Sequence, residues 1–345
     1  MKAAVLYKPK DEIKIENVAD PGSPKGTQVL VKIQSSGLCH TDIHIWEGHY
    51  GPIRIEERGV RFPLIMGHEI AGFVHAVGES VTGLKPGDRV VVYPWIGDNS
   101  CKMCVSGYEN LCMAVKPLGI LANGGFAEYV LVPHHRYCIK FYSVSFDEAA
   151  PMACAGITAY SALKKASFTS TDYLMVIGVG GLGHLAIQMA KFLYGATVVA
   201  VDVRDEALDH AAKLGADHVI NASRQNVVDE AKKLTNGAGV DAVVDFVNTA
   251  ETSRDGFNAL RKAGRLILVG VGGYTAEFIL PLIAIRSISI SGSYVGTVQD
   301  LMETVSMLEK GKIKTTVTPM KLEHVNEALK MLLERKVVGR IILRP

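Results

Sequence analysis

Excess charge of either sign is what this sequence lacks: 37 Lys and Arg face 35 Asp and Glu, a net of +2 over 345 residues. Without a basic surplus there is no electrostatic ground for expecting nucleic acid or a strongly anionic membrane surface as partner. Cysteine is sparse as well. Five of the six fall in patterns suited to metal, which leaves no pair for a disulfide framework and points to a reducing, cytoplasmic setting. The apolar run in Met1–Tyr7 is too short for a secretory h-region, and charge follows at once. Only Tyr173–Ala190 approaches membrane-spanning length, with no charge beyond a possible one on His184, and four glycines between 178 and 183 break it. A soluble protein is expected.

Those glycines divide the run into an apolar strand, a tight turn and a helix, the pattern of a buried parallel strand and the helix packed on it. The turn reads GVGGLG from Gly178 to Gly183, and Asp202 answers it at the end of the next strand, nineteen residues past the last glycine. In that context G-x-G-x-x-G binds a dinucleotide. Gly178 permits the tight turn, Gly180 lets a pyrophosphate approach the backbone, and Gly183 allows close helix–strand packing, with Gly181 and Leu182 completing the loop. The helix N-terminus meets the anion with N–H groups and partial positive charge. A carboxylate at Asp202 accepts from the adenosine ribose hydroxyls and repels a 2′-phosphate, so NAD is expected over NADP. Arg204, two residues on, either stacks near adenine or receives that phosphate.

Asp98, Cys101, Cys104 and Cys112 lie within fifteen positions and read D-x2-C-x2-C-x7-C. This spacing lets a short loop close around one tetrahedral zinc at Zn–S distances of about 2.3 Å, and a closed site of that kind is structural. Asp98 reads alternatively as a solvated turn residue. Cys39, His68 and Cys154 form a scattered second set: two thiols and an imidazole, the three ligands with one open position that a catalytic zinc requires. Cys138, in the strand-like Tyr137–Phe141 segment, is expected in the core.

Three stretches make the chain resemble the medium-chain, zinc-dependent alcohol dehydrogenases, in particular the archaeal and microbial tetrameric NAD-dependent members. They are GLCHTDIH from Gly37 to His44, CAGIT from Cys154 to Thr158, and GHEIAG from Gly67 to Gly72. The last runs on to Gly78 and Val81 in the family pattern G-H-E-x2-G-x5-G-x2-V. The resemblance implies reversible hydride transfer between a primary or secondary alcohol and NAD, giving aldehyde or ketone plus NADH. It also implies two zinc ions per chain, one catalytic and one structural. Thr41 and His44 match the family's proton relay, and Asp42 the carboxylate behind the zinc-bound imidazole of His68. His40 stands where a cofactor-phosphate cation is common, and Thr158 where a residue touches the nicotinamide. Arg340 in GRIIL matches the pyrophosphate arginine, its alternative being a surface arginine on an edge strand. By order along the chain, Val269, Gly270, Val271, Tyr294 and Val295 fall in the nicotinamide-facing stretch. Glu69 matches a glutamate that can swing in as a zinc ligand, yet a carboxylate paired with Arg340 reads the same in sequence. Trp95 resembles an aromatic wall of the substrate cleft and reads equally as a core tryptophan.

Two departures qualify the likeness. Asp98 replaces the first of the four cysteines usual in the structural loop, a change in ligand softness that weakens metal retention. The short gap from Cys39 to Cys154 is similar to that of the tetrameric microbial enzymes, which implies a homotetramer. Competing readings are a polyol or threonine dehydrogenase, a branch that commonly has a carboxylate in place of Cys154, and a non-catalytic binding protein on this fold.

After the glycine turn, strands ending at Ile177 and Asp202 are followed by His218–Asn221, Val240–Phe246, Arg265–Gly270 and Ser287–Gly292, with helices over Glu206–Leu214, over Val227–Leu234 and up to Arg261. Six strands suffice for a full dinucleotide fold. Earlier residues instead show short strands between Gly/Pro turns, such as Val29–Gln34, Asp88–Tyr93 and Phe126–Val132, and the tail from Gln299 reads as two helices and a strand, Val338–Leu343. No repeat, low-complexity tract or linker marks a boundary. The expected fold is α/β: a GroES-like, β-rich catalytic domain over 1–149 plus 299–345, and a Rossmann doubly wound parallel sheet over 150–298.

Overall fold

In the computed structural model, which describes residues 1–345, Val29–Leu38 alternates buried and outward side chains at first and is fully buried over its last four residues. The change has a cause in pairing. Its first residues pair with Tyr129–Val132 on one side, its last with Arg340–Arg344, and Glu69–Val77 runs antiparallel along the other side. The sheet order is Cys138–Lys140, Arg89–Val92, Glu69–Val77, Val29–Leu38, Arg340–Arg344, Val317–Lys321. Lys14–Asn17, Lys2–Leu6 and Leu64–Ile65 make a smaller sheet. These elements belong to one compact unit, Met1–Ile157 with Gly296–Gly311 and Thr315–Pro345.

The second unit is Thr158–Val295 with Lys312–Lys314. Its six strands are all parallel, in the order His218–Asn221, Thr197–Asp202, Tyr173–Ile177, Val240–Asp245, Leu260–Leu268, Ser289–Gly292. Numbered along the chain this is 3-2-1-4-5-6, the doubly wound order, whose ligand crevice lies outside the carboxyl ends of the strands. Val240–Asp245 is buried at every position, as a central strand covered on both faces must be. The run that approached membrane-spanning length is the strand Tyr173–Ile177 and the helix Gly183–Tyr194, and no helix is long and apolar enough to cross a membrane.

Several expected boundaries move. Val29–Gln34 extends to Leu38 because both of its edges are paired there. Phe126–Val132 begins as a ladder only at Tyr129, the earlier residues making an isolated bridge, Ala3 to Ala127. The helix expected to reach Arg261 stops at Ala259; Leu260–Leu268 is a strand with an irregular register opposite Val240–Ala242 and a left-handed Ala263, φ 58°. Val317–Lys321 is a strand absent from the expected tail of two helices and one strand, and it contains Pro319. It lies at the sheet edge, where a missing N–H breaks no ladder.

Candidate functional site

Cys39 follows the central strand and caps the helix His40–Glu47 in extended conformation, φ −117° and ψ 158°. Asp42, three residues on, accepts from the Cys39 amide at 2.8 Å through Oδ2 and turns Oδ1 to the His68 Nδ1 at 3.5 Å. His68 immediately precedes the strand Glu69–Val77, and Cys154 closes the short turn Ala150–Ala153. Strand pairing brings these segments together: the ligand atoms of Cys39, His68, Glu69 and Cys154 all lie within 4.8 Å of one another, and all four residues are buried.

His68 is fully buried and its Nε2 has no protein hydrogen-bond partner. A buried ring nitrogen beside two thiols is costly unless something coordinates it. The donor set, two sulfurs and an imidazole, matches zinc chemistry. Hydrogen bonding with Cys154 holds the Cys39 thiol well below the ordinary thiol range against the opposing effect of burial, and Arg340 and His68 add to the effect. Cys154 is pushed up by the same bond and by burial. One sulfur of the pair is thus already predisposed to the thiolate form.

Glu69 is paired with Arg340, its Oε1 accepting from Nη2, and also lies among the candidate ligands. Burial raises its carboxyl to about 7 against the pull of Arg340. The alternative of a surface arginine on an edge strand fails, because Arg340 is 4% exposed and its strand is interior. Gly37 pairs directly with Glu69, and a methyl there would overlap the Glu69 carboxylate. Trp95 is buried, edge-on to His68 at 5.8 Å between ring centroids, with its indole N–H donating to Ala153 O at 3.4 Å. It packs against the ring of His68.

Thr41 and His44 share the helix His40–Glu47, and His40 is exposed in its first turn. A residue that sequence reasoning missed joins them. Tyr50, on the short hairpin after the helix, packs on the His44 ring at 4.7 Å between centroids, and burial raises the pKa of its hydroxyl against the opposing effect of the Thr41 side chain. No motif marks it. Burial, with His40 next in effect, lowers the His44 pKa from its ordinary value, against the pull of Glu47.

Asp98, Cys101, Cys104 and Cys112 also bring their ligand atoms within 4.8 Å of one another. Two amides point at sulfur, Asp98 N and Ala114 N to Cys112 Sγ at 3.4 and 3.3 Å. Three sulfurs and a carboxylate gathered in one short loop are zinc-type donors, so the loop fits a metal. Asp98 Oδ1 also accepts from Ser100 N at 2.8 Å and Cys101 N at 2.9 Å, bonds that lower its pKa strongly. Asp98 therefore caps the turn while its carboxylate stays within reach of the three sulfurs. Cys138 is buried, and desolvation raises its pKa.

In the second unit, Gly178 has φ +89°, and a Cβ on Gly183 would overlap the Gly178 carbonyl, while one on Gly180 would meet nothing within 4 Å. Gly178 is needed for the shape of the turn and Gly183 for packing, while Gly180 borders open space. Asp202 Oδ2 accepts from Val179 N at 2.8 Å and Oδ1 from Val203 N and Arg204 N at 2.8 and 3.0 Å, with Arg204 Nε 3.6 Å away. The carboxylate stands beside the loop, which fits a dinucleotide. Thr158 and Val295 are buried, Val269 is half-buried, and Val271 and Tyr294 are exposed. Val295 has φ 42°, a strained conformation for a β-branched residue.

Residues 181–310 match the family described as zinc-binding dehydrogenase, and residues 25–143 the alcohol dehydrogenase GroES-like domain. The chain is 45% identical to an NAD-dependent alcohol dehydrogenase of Sulfurisphaera tokodaii, with 100% of both chains covered. It is 36% identical to a D-arabinose 1-dehydrogenase (NADP(+)) of Saccharolobus solfataricus, covering 100% of this chain and 97% of the other. The crystal structure of the alcohol dehydrogenase from Aeropyrum pernix superposes with a TM-score of 0.93 at 38% identity and complete coverage of both chains. With the fold, the ligand clusters and the glycine loop, these likenesses establish that the chain belongs to the zinc-binding alcohol dehydrogenase family.

Proposed function

We propose that the protein is an NAD-dependent zinc alcohol dehydrogenase that interconverts primary or secondary alcohols with aldehydes or ketones. The buried Cys39–His68–Glu69–Cys154 cluster carries the proposal, because two thiols and an imidazole whose ring nitrogens have no hydrogen-bond partner are the donors of a zinc site. Bound zinc supplies Lewis acidity at the alcohol oxygen, and the nicotinamide accepts hydride. Cys39, His68 and Cys154 hold the metal, Asp42 orients the imidazole, and Glu69, paired with Arg340, stands ready as a further oxygen donor. The Thr41 hydroxyl and the neutral His44 ring take the alcohol proton away. The buried Trp95 packs edge-on against the His68 ring and helps fix its orientation.

The first unit is the catalytic domain and the second the NAD-binding domain in this reading, Asp202 selecting NAD. His40, Arg340, Arg204, Thr158, Val269, Val271 and Val295 are its proposed cofactor neighbours. The Asp98–Cys101–Cys104–Cys112 loop holds a second, structural zinc. Free thiols at all six cysteines support a cytoplasmic setting. A homotetramer is supported by the unprotected edge strand Ser289–Gly292 and the adjoining helix Leu280–Ile285, which buries no residue. Exposed apolar edges of this kind call for a partner.

The test is NADH formation from NAD with a panel of primary, secondary and benzylic alcohols, before and after metal is stripped by a chelator. Chelator-sensitive turnover is expected. A sugar or polyol dehydrogenase is the second reading, favoured by the D-arabinose relative; D-arabinose and polyols in the same panel, preferred over simple alcohols, would replace the first.

A further inference from the structure

The residue that follows the last glycine of the loop is a histidine, and it has no assigned part. His184 is fully buried in the first turn of the helix Gly183–Tyr194, and its ring Nδ1 lies 3.0 Å from the Gly180 carbonyl oxygen. A carbonyl can only accept, so Nδ1 carries the proton. The His184 backbone N–H donates to the same oxygen at 3.2 Å. Gly180 O is thus held twice by one residue.

The peptide that carries this oxygen joins two glycines, Gly180 and Gly181. Glycine on both sides makes it the peptide in the loop most free to rotate. Because a trans peptide is planar, its C=O and N–H point in opposite directions. With the oxygen drawn in toward His184, the Gly181 N–H points away from the helix, the direction from which an anion reaches a helix N-terminus. In the rotated form a carbonyl dipole would face that anion and repel it. Gly180 has open space where a side chain would stand, with no atom within 4 Å of a Cβ placed there. The restraint has to come from hydrogen bonds.

We propose that His184 is a positioning residue for the dinucleotide: its Nδ1–H locks the Gly180–Gly181 peptide with the amide turned toward the pyrophosphate. This rests on the reading that the loop binds NAD.

Asparagine and leucine separate donor from shape. Asn places an amide nitrogen near the Nδ1 position, and Leu has the outline of Asn with methyls in its place. The experiment measures the NADH and ADP-ribose dissociation constants of the metal-loaded, full-length wild type, His184→Asn and His184→Leu, together with Tm, KM for NAD, and kcat. The lock predicts wild-type-like binding in His184→Asn and about tenfold weaker binding in His184→Leu, with KM for NAD raised and kcat held. A mere packing role predicts the reverse order, since a buried apolar Leu disturbs the core less than an amide. Equal dissociation constants for Asn and Leu, or tighter binding by Leu, overturn the proposal. If His184→Leu does not fold, His184→Phe, which keeps a ring without a donor, takes its place. Wild type that binds neither NADH nor ADP-ribose overturns the dinucleotide reading itself and the lock with it.

Discussion

Replacing Gly67 by alanine is expected to destabilise the metal-bearing unit by about 2–5 kcal/mol, from two separable causes. Gly67 has φ +88°, where an L-residue costs about 1–2 kcal/mol. Its Cβ would also overlap the Phe126 ring, lying 2.7 Å from Cε1, and would sit 2.9 Å from Ser36 Oγ. Phe126 is fully buried and cannot swing aside, so overpacking adds about 1–3 kcal/mol. Gly83→Ala is the control: φ is +75° but nothing lies within 4 Å of its Cβ, so only the backbone cost applies. Both tryptophans, Trp46 and Trp95, belong to the first unit, and their fluorescence in urea follows that unit alone. The Gly67→Ala transition should fall well below that of Gly83→Ala, with less zinc retained, because His68 is the next residue. Equal midpoints for the two variants would falsify the packing argument.

Asp98→Ala should lower zinc content and thermal stability while sparing kcat at moderate temperature, and Asp98→Asn, which keeps an acceptor for Ser100 and Cys101, should lose zinc with less damage to the turn. Metal analysis and Tm decide it, and unchanged values in both variants refute a ligand role. Asp202→Gly should move the kcat/KM ratio toward NADP and also weaken NAD, because the carboxylate ties down the Val179, Val203 and Arg204 amides. Comparable kcat/KM for NAD and NADP in the wild type would contradict the selection argument. Because burial holds the His44 pKa down, the ring is a neutral acceptor through the neutral range. His44→Gln should slow alcohol oxidation more at low pH, where hydroxide is scarce, than at high pH. A defect independent of pH speaks against a relay.

The glycine loop was legible in the sequence because its constraints are local. A left-handed Gly178 and a Gly183 pressed on the Gly178 carbonyl are conditions within six residues. The Asp98–Cys112 cluster was legible for the same reason, its candidate ligands being spaced along one short stretch, whereas Cys39, His68 and Cys154 could be paired only through their chemistry. Tyr50 was not legible: nothing in its neighbours announces that a hairpin will return its ring to His44.

What the sequence could not supply is register. Gly37 pairs with Glu69 on one side of the central strand and with Ile342 on the other, which sets Arg340 against Glu69 across 271 residues of chain. A slip of one residue in either pairing would turn Glu69 or Arg340 to the opposite face of the sheet, leaving one charge buried without its partner. The slip is prevented by the packing of buried positions along Val29–Leu38 and by Gly37, the one residue there whose missing side chain leaves room for the carboxylate. The cluster therefore depends on three strands held in one register as much as on its ligands, and sequence motifs named the ligands without containing that alignment.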